Sequence, residues 1–178
     1  ALHRCDIKAI ADVVFNQKMG ADETEDVIAC EVYMNDRNVI SGEPYNILAW
    51  TKFNFNNRNN KYSDFKWNWT HFHGVDWDDR GKKSAIFKFY GKNWDNDVDK
   101  ENGNFDYLMG ADVDLNNVDV VEELNNWGKW YLKFCDLDGF RLDAIKHMRE
   151  SFFKNWVDNM QNSSDKDLFF VGEYWNNN

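Results

Sequence analysis

The stretch "DGFRLDAIKH" (Asp138–His147) is a short apolar strand that ends on charge. Arg141 and Asp143 lie two apart, and Lys146 and His147 follow at once. Side chains alternate across a strand, so Arg141 and Asp143 share one face and Phe140 and Leu142 the other. Two further runs have the same character, "IKAIADVVFN" (Ile7–Asn16) and "DLFFVGEYW" (Asp167–Trp175). The first is rich in β-branched residues and reads as a buried strand of a parallel sheet. Helical patterns separate the runs. Val118, Val121, Leu124, Trp127, Tyr131 and Phe134 recur at three- and four-residue spacing, which predicts an amphipathic helix over about 118–134. Asn116 or Asn117 can cap it, and Glu122 and Glu123 suit its dipole. "HMRESFFKNWVDNMQ" predicts a second helix with Phe152, Phe153, Trp156, Val157 and Met160 as its stripe. Strand and helix alternate, which implies a parallel α/β sheet or barrel.

Between Gln17 and about Asp106 the texture changes to polar, Asn-rich and aromatic, without helical periodicity. We read it as an irregular insertion with short strands. A structureless loop of that length is improbable, so it forms a small subdomain. Pro44 is the only proline in the chain. Three cysteines (Cys5, Cys30, Cys135) lie far apart, without the spacing of a zinc site. At most one pair could form a disulfide. The 178 residues carry a net charge of −10, which argues against nucleic acid as a partner. No apolar run is long enough to span a membrane. Aromatics reach 17%, with nine Trp, which suits a surface that stacks on sugar faces as well as a bulky core.

Polar residues gather where the strands end: Asn16 after the first, Arg141 and Asp143 at the second, Glu173 at the third. In α/β barrels the carboxyl ends of strands build the active site. Asp143 and Glu173 on neighbouring strands form the carboxylate pair that glycoside hydrolysis requires, one attacking the anomeric carbon and the other protonating the leaving oxygen. Arg141 beside Asp143 would hold it ionised. On spacing alone, the two acids read either as that pair or as ordinary strand-end carboxylates.

The motifs "DVVFNQ" (Asp12–Gln17), "GFRLDAIKH" (Gly139–His147) and "VGEYW" (Val171–Trp175) resemble, in order, the conserved regions of the α-amylase family of glycoside hydrolases. The connecting stretches "GADETEDVIACEV", "YSDFKWNWTHF", "ENGNFDYLMGADVDL" and "WGKWYLKF" resemble the liquefying bacterial enzymes and their intracellular relatives, and the likeness covers essentially the whole chain. The resemblance implies an α/β fold, part of a (β/α)8 TIM barrel, strands 3 to 5, with a long irregular domain B inserted after strand 3. Residues 1–16 would be strand 3, 17–106 domain B, and 107–178 strands 4 and 5 with their helices. It implies retaining endo-hydrolysis of α-1,4-glucosidic bonds in starch, glycogen or maltooligosaccharides by a monomer. Asp143 matches the nucleophile, Glu173 the general acid/base and Arg141 the residue that orients the nucleophile. Gln17, Lys146, His147 and Trp175 match substrate-lining positions.

The resemblance also implies a main calcium ion bridging domain B to the barrel, with ligands at Asn16, Asp106, Asp112 and the backbone carbonyl of His147. Hard Ca²⁺ takes such oxygens. Some relatives hold a second calcium and a sodium nearby, and Asp95, Asp106, Asp112 and Asp114 match positions in that cluster. Three departures stand out. Gln17 replaces a sugar-touching His, which weakens substrate binding. His73 and Asn116 each replace an Asp of the extra-ion cluster, which weakens the second calcium and the sodium. The family's third carboxylate, within an Asn-His-Asp stretch, is not in this sequence. The chain therefore reads as an internal fragment, inactive alone, of a secreted or cytoplasmic enzyme. Alternatives are a related glucan hydrolase or transglycosylase, or a non-catalytic calcium- and glucan-binding protein built on the same fold.

Overall fold

A computed structural model describes residues 1–176. In chain order the elements are β1 (Ile10–Val13), β2 (Gln17–Lys18), β3 (Glu23–Val32), β4 (Ile40–Lys52), β5 (Phe72–Asp78), β6 (Lys83–Phe89), β7 (Ala111–Val113), α1 (Val118–Cys135), β8 (Gly139–Leu142), α2 (Glu150–Asn162) and β9 (Phe169–Gly172). They make a mixed α/β structure with two sheets. The first is parallel, in the order β1-β8-β9. The second is antiparallel, in the order β2-β7-β5-β6-β3-β4.

The parallel sheet is the one predicted, but β1 is shorter than the run suggested. It ends at Val13, so Asn16 lies in the turn to β2 rather than on the strand. Continuous apolar runs also predict cover on both faces. Among the described residues only one face is covered. Ala11, Val13, Phe140 and Leu142 are buried, while Ile10, Phe169 and Val171 are 40%, 55% and 43% exposed. The covered face packs on α1 and α2, where Trp156 is edge-on to Phe15 and Phe140, each at 5.0 Å.

Helix α1 starts where predicted, with Asn117 Oδ1 accepting from Asp119 N at 3.0 Å. Its buried stripe is Val120, Leu124, Gly128 and Leu132. Of the predicted stripe only Leu124 is fully buried, and Val118 and Phe134 are 77% and 68% exposed. Both stripes follow helical spacing, and tertiary packing chose between them. Gly128 explains the choice: a Cβ there would lie 2.7 Å from Trp156 Cζ2, so α2 closes directly onto α1. Helix α2 keeps its predicted stripe, with Phe152, Trp156 and Met160 buried.

The segment after Gln17 is more regular than predicted. Strands β3 and β4 have ten and 13 residues and pair over most of their length, broken by two bulges. Low apolar density hid them, because one face of an antiparallel sheet can stay in water. Pro44 sits in the edge strand β4, where a missing N–H is tolerated. The sheet extends past Asp106 to β7. Strand β2 leaves four residues after β1 ends, and β7 returns just before α1, so the two sheets meet beside the carboxyl ends of β1 and β8. One apolar core runs through both. All three cysteines are free. No described helix is long and apolar enough to cross a membrane.

Lys18 on β2 lies 4.2 Å from the centre of the Trp67 ring, and burial lowers its pKa to about 8. The folded state therefore releases this proton before the unfolded chain does. Stability should rise between pH 8 and about 10.5 by up to about 3 kcal/mol from this group. Lys18→Met should abolish that rise. Urea titrations at pH 7 and 10 on both proteins check it, and equal slopes against pH would refute it.

Candidate functional site

Charged side chains converge at the carboxyl ends of the parallel strands. The ladder continues one residue beyond each strand: Asp143 N donates to Val13 O at 3.0 Å and Glu173 N to Leu142 O at 2.8 Å. These bonds fix both acids beside one another. Between them lies the Arg141 guanidinium. Its Nη1 donates to Asp143 Oδ1 at 2.8 Å and to both oxygens of Asp12 at 2.8 and 2.9 Å, and its Nη2 lies 2.6 Å from Glu173 Oε1. Asp12 had not been singled out as a site residue. The parallel register sets Asp12 directly opposite Arg141. A lone acid inside the run "IADVV" was its only signal in the sequence.

The electrostatics differ from the expectation that Arg141 alone keeps Asp143 ionised. Burial pushes the Asp143 carboxyl up, its hydrogen bond with Glu173 pushes further, and Arg141 only partly offsets them. Glu173 is held below the usual carboxylate range, first by its bond with Trp175 and also by Asp143 and Arg141. The two carboxyls thus titrate as a pair, with Asp143 pushed up and Glu173 held down.

Lys146 and His147 form the turn after β8 and are buried, not solvated. Lys146 Nζ bonds Glu101, and His147 Nδ1 bonds the Phe105 carbonyl at 2.7 Å. Both thus clamp the 99–105 loop onto the parallel sheet. Asp99 N donating to Lys146 O at 3.2 Å adds to this clamp. Trp175 is 73% exposed beside Glu173. Gln17 lies on β2 opposite Asp112. A cavity of about 500 Å³ opens nearby, walled by Leu142, Ile145, Phe153, Phe170 and Tyr174, but none of Asp12, Arg141, Asp143 or Glu173 lines it.

A second cluster occupies the junction of the two sheets. Asp95, Asp106, Asp112 and Asp114 are all at most 6% exposed. A bulge between Phe72 and Gly74, where β5 meets β7, puts His73 among them. Its Nδ1 is 3.0 Å from both Asp106 Oδ2 and Asp112 Oδ2, hydrogen-bonded to the latter. Its Nε2 is 3.1 Å from Asp114 Oδ1, an ion-pair contact too poorly aligned for a hydrogen bond. Burial lowers the His73 pKa, but these carboxylates outweigh it and hold it well above an ordinary histidine. Lys92 Nζ bonds Asp114 Oδ2 at 2.6 Å, a partner that sequence reading missed. Burial pushes Asp95 up to about 7 and raises Asp112 as well.

Some donors here have nothing to bind. Asn16 is 2% exposed, and neither its Oδ1 nor its Nδ2 has a partner; Asp95 Oδ2 is likewise buried and unpaired. Asn16 O accepts from Val113 N at 2.9 Å, which seats Asn16 beside the Asp112 strand. Buried polar atoms are seldom left unsatisfied. Orphaned oxygens beside a group of buried carboxylates fit a hard, oxygen-seeking cation such as calcium. His73, Asp106 and Asp112 bring ligand atoms within 4.8 Å of one another.

The chain is similar to known proteins over nearly its whole length. No family model matches the chain. It is 53% identical to the α-amylase of Bacillus licheniformis over 99% of its own length and 35% of that protein's. The likeness to α-amylases thus runs over nearly the whole of this chain. It is 54% identical to the α-amylase of Geobacillus stearothermophilus (98% of this chain, 32% of that one). It is 42% identical to the cytoplasmic α-amylase of Escherichia coli strain K12 (98% and 36%). The chain thus spans about a third of the length of the curated relatives it matches. Among solved structures, the α-amylase of Geobacillus thermoleovorans superposes with a TM-score of 0.52 at 20% identity, covering 99% of this chain and 27% of that one. That likeness speaks for the fold.

Proposed function

We propose that the protein carrying this chain hydrolyses internal α-1,4-glucosidic bonds of starch or glycogen, with retention at the anomeric carbon. The observation that carries this reading is the single guanidinium of Arg141 held against Asp143 and Glu173 at the ends of adjacent parallel strands. In this frame residues 1–16 and 107–178 supply strands 3 to 5 of a (β/α)8 barrel, and residues 17–106 are domain B.

Asp143 is the nucleophile and Glu173 the general acid/base. In the free site the two carboxyls are shifted in the directions opposite to those that attack requires, Asp143 up and Glu173 down. A pyranose seated between the two carboxyls removes their mutual hydrogen bond. Arg141 then favours the ionised form of Asp143, and the proton that the reaction needs is held by Glu173. Asp143 attacks the anomeric carbon while Glu173 protonates the departing glycosidic oxygen. In the second half, Glu173 takes a proton from water, and the resulting hydroxide displaces Asp143 on the same face. Asp12 keeps Arg141 in place throughout, and the exposed Trp175 ring offers a stacking surface for a sugar. Fresh product analysed by proton NMR should show the α-anomer first. A β-anomer would overturn the retaining assignment.

Asn16, Asp106, Asp112 and the His147 carbonyl would hold a calcium ion. Calcium held there would supply cross-linking rather than reaction chemistry, since these residues come from the β2–β7 junction and from the turn that follows Asp143. Calcium at about 100 times its Kd should stabilise the fold by about 2.7 kcal/mol. Thermal melts with calcium and with chelator measure this. Coincident melts would count against the site.

A further inference from the structure

The buried acidic cluster does something the proposed chemistry does not use. Four carboxylates lie within it, and His73, Lys92 and Asn116 reach into it as donors. We propose that the His73 ring stands where a second cation would otherwise bind, so that the cluster takes a single calcium on its Asn16 side. The inference rests on the calcium reading above.

The argument is one of occupancy. A second ion would need the inward oxygens of Asp106, Asp112 and Asp114. His73 already contacts one oxygen of each, at 3.0, 3.0 and 3.1 Å. Calcium sits 2.3–2.6 Å from its ligands, so an ion on those oxygens would collide with the ring. The other oxygen of Asp114 is taken by Lys92, at 2.6 Å. Asn116 points its amide nitrogen, a donor, at Asp95 Oδ1, where an ion would need an oxygen. Arg149 contacts Asn116 Oδ1 and lies 3.9 Å from Asp95 Oδ1. Each feature fills the space with a protein donor. The Asn16 side is different. Asn16 Oδ1 is a buried oxygen without a partner and no protein cation among the described residues stands against it, whereas the other orphaned oxygen, Asp95 Oδ2, belongs to a carboxylate that Asn116 and Arg149 already face. His73 is also badly placed as a metal ligand itself. Its two nitrogens face carboxylates on two sides, at 3.0 Å and 3.1 Å, so a metal could reach either nitrogen only by displacing one of those acids.

The test is metal content by equilibrium dialysis and mass spectrometry on the chain, with near-ultraviolet circular dichroism reporting the fold. Wild type should bind one calcium and no zinc. The double variant H73D/N116D should bind at least one calcium more, and H73Q should keep the single calcium. Two or more calcium ions on wild type would overturn the inference. So would zinc held by wild type and lost in H73Q, or a folded double variant that binds no more than wild type. If the double variant does not fold, wild type and H73Q decide between the same outcomes. A folded wild type that binds no calcium would sink the calcium reading itself, a different result from the others.

Discussion

In the protein carrying this chain, Asp143→Asn should lower kcat on soluble starch by roughly four orders of magnitude while glucan binding survives. Losing one member of a catalytic constellation typically costs that much, because the members act as a unit. The substitution keeps the shape of the side chain and removes only the charge that attacks the anomeric carbon. The fold should tolerate it. Asp143 N still donates to Val13 O, and Arg141 retains Asp12 and Glu173 as partners. Kinetics and isothermal titration with a maltooligosaccharide separate turnover from binding. A variant that keeps about a tenth of the activity would mean that another group attacks, since one lost order is only about 1.4 kcal/mol of barrel-site stabilisation. Wild type that binds glucan and never turns it over would favour the non-catalytic binder instead.

Trp156→Ala should destabilise the chain by about 3–5 kcal/mol, the range for deleting a large buried aromatic. Trp156 is fully buried. It meets Phe15 and Phe140 edge-on at 5.0 Å, and its Nε1 donates to Leu124 O at 3.2 Å. It also fills the space that Gly128 leaves open on α1. Removing it opens a cavity between both helices and the parallel sheet, and the surrounding rings cannot collapse into it without breaking their own contacts. A domain is stable by only about 5–15 kcal/mol in all, so this loss is a large share. Trp175→Ala, at a ring 73% exposed, should shift stability by no more than about 0.5 kcal/mol. Urea unfolding of both variants makes the comparison. Equal losses would mean that α2 does not pack as described.

The strand ends show how much can be read without coordinates. Asp143 and Glu173 sit one residue past β8 and β9, as their apolar runs imply. The partner on the third strand was less visible. Asp12 became a contact of Arg141 only through the register of β1 against β8. Helix α1 shows the same limit. Its length and cap follow from local residues, but its buried face does not. Two apolar stripes compete along it, and the closeness of Trp156 to Gly128 settles which one turns inward.

Three short strands, two helices, their order and the acids at the strand ends were determined by the sequence alone, because strand and helix periods and caps are local properties of the chain. The antiparallel sheet was legible only as a polar, aromatic stretch, since strands with one wet face carry few apolar residues. Only the tertiary structure decided that His73 meets Asp106, Asp112 and Asp114. These residues are 33 to 41 positions away in the chain, and the pairing of β5 with β7, with its bulge at His73, brings them together. No local period encodes such a meeting. Burial makes it matter, because carboxylates removed from water must find a cation, a proton or a donor within reach.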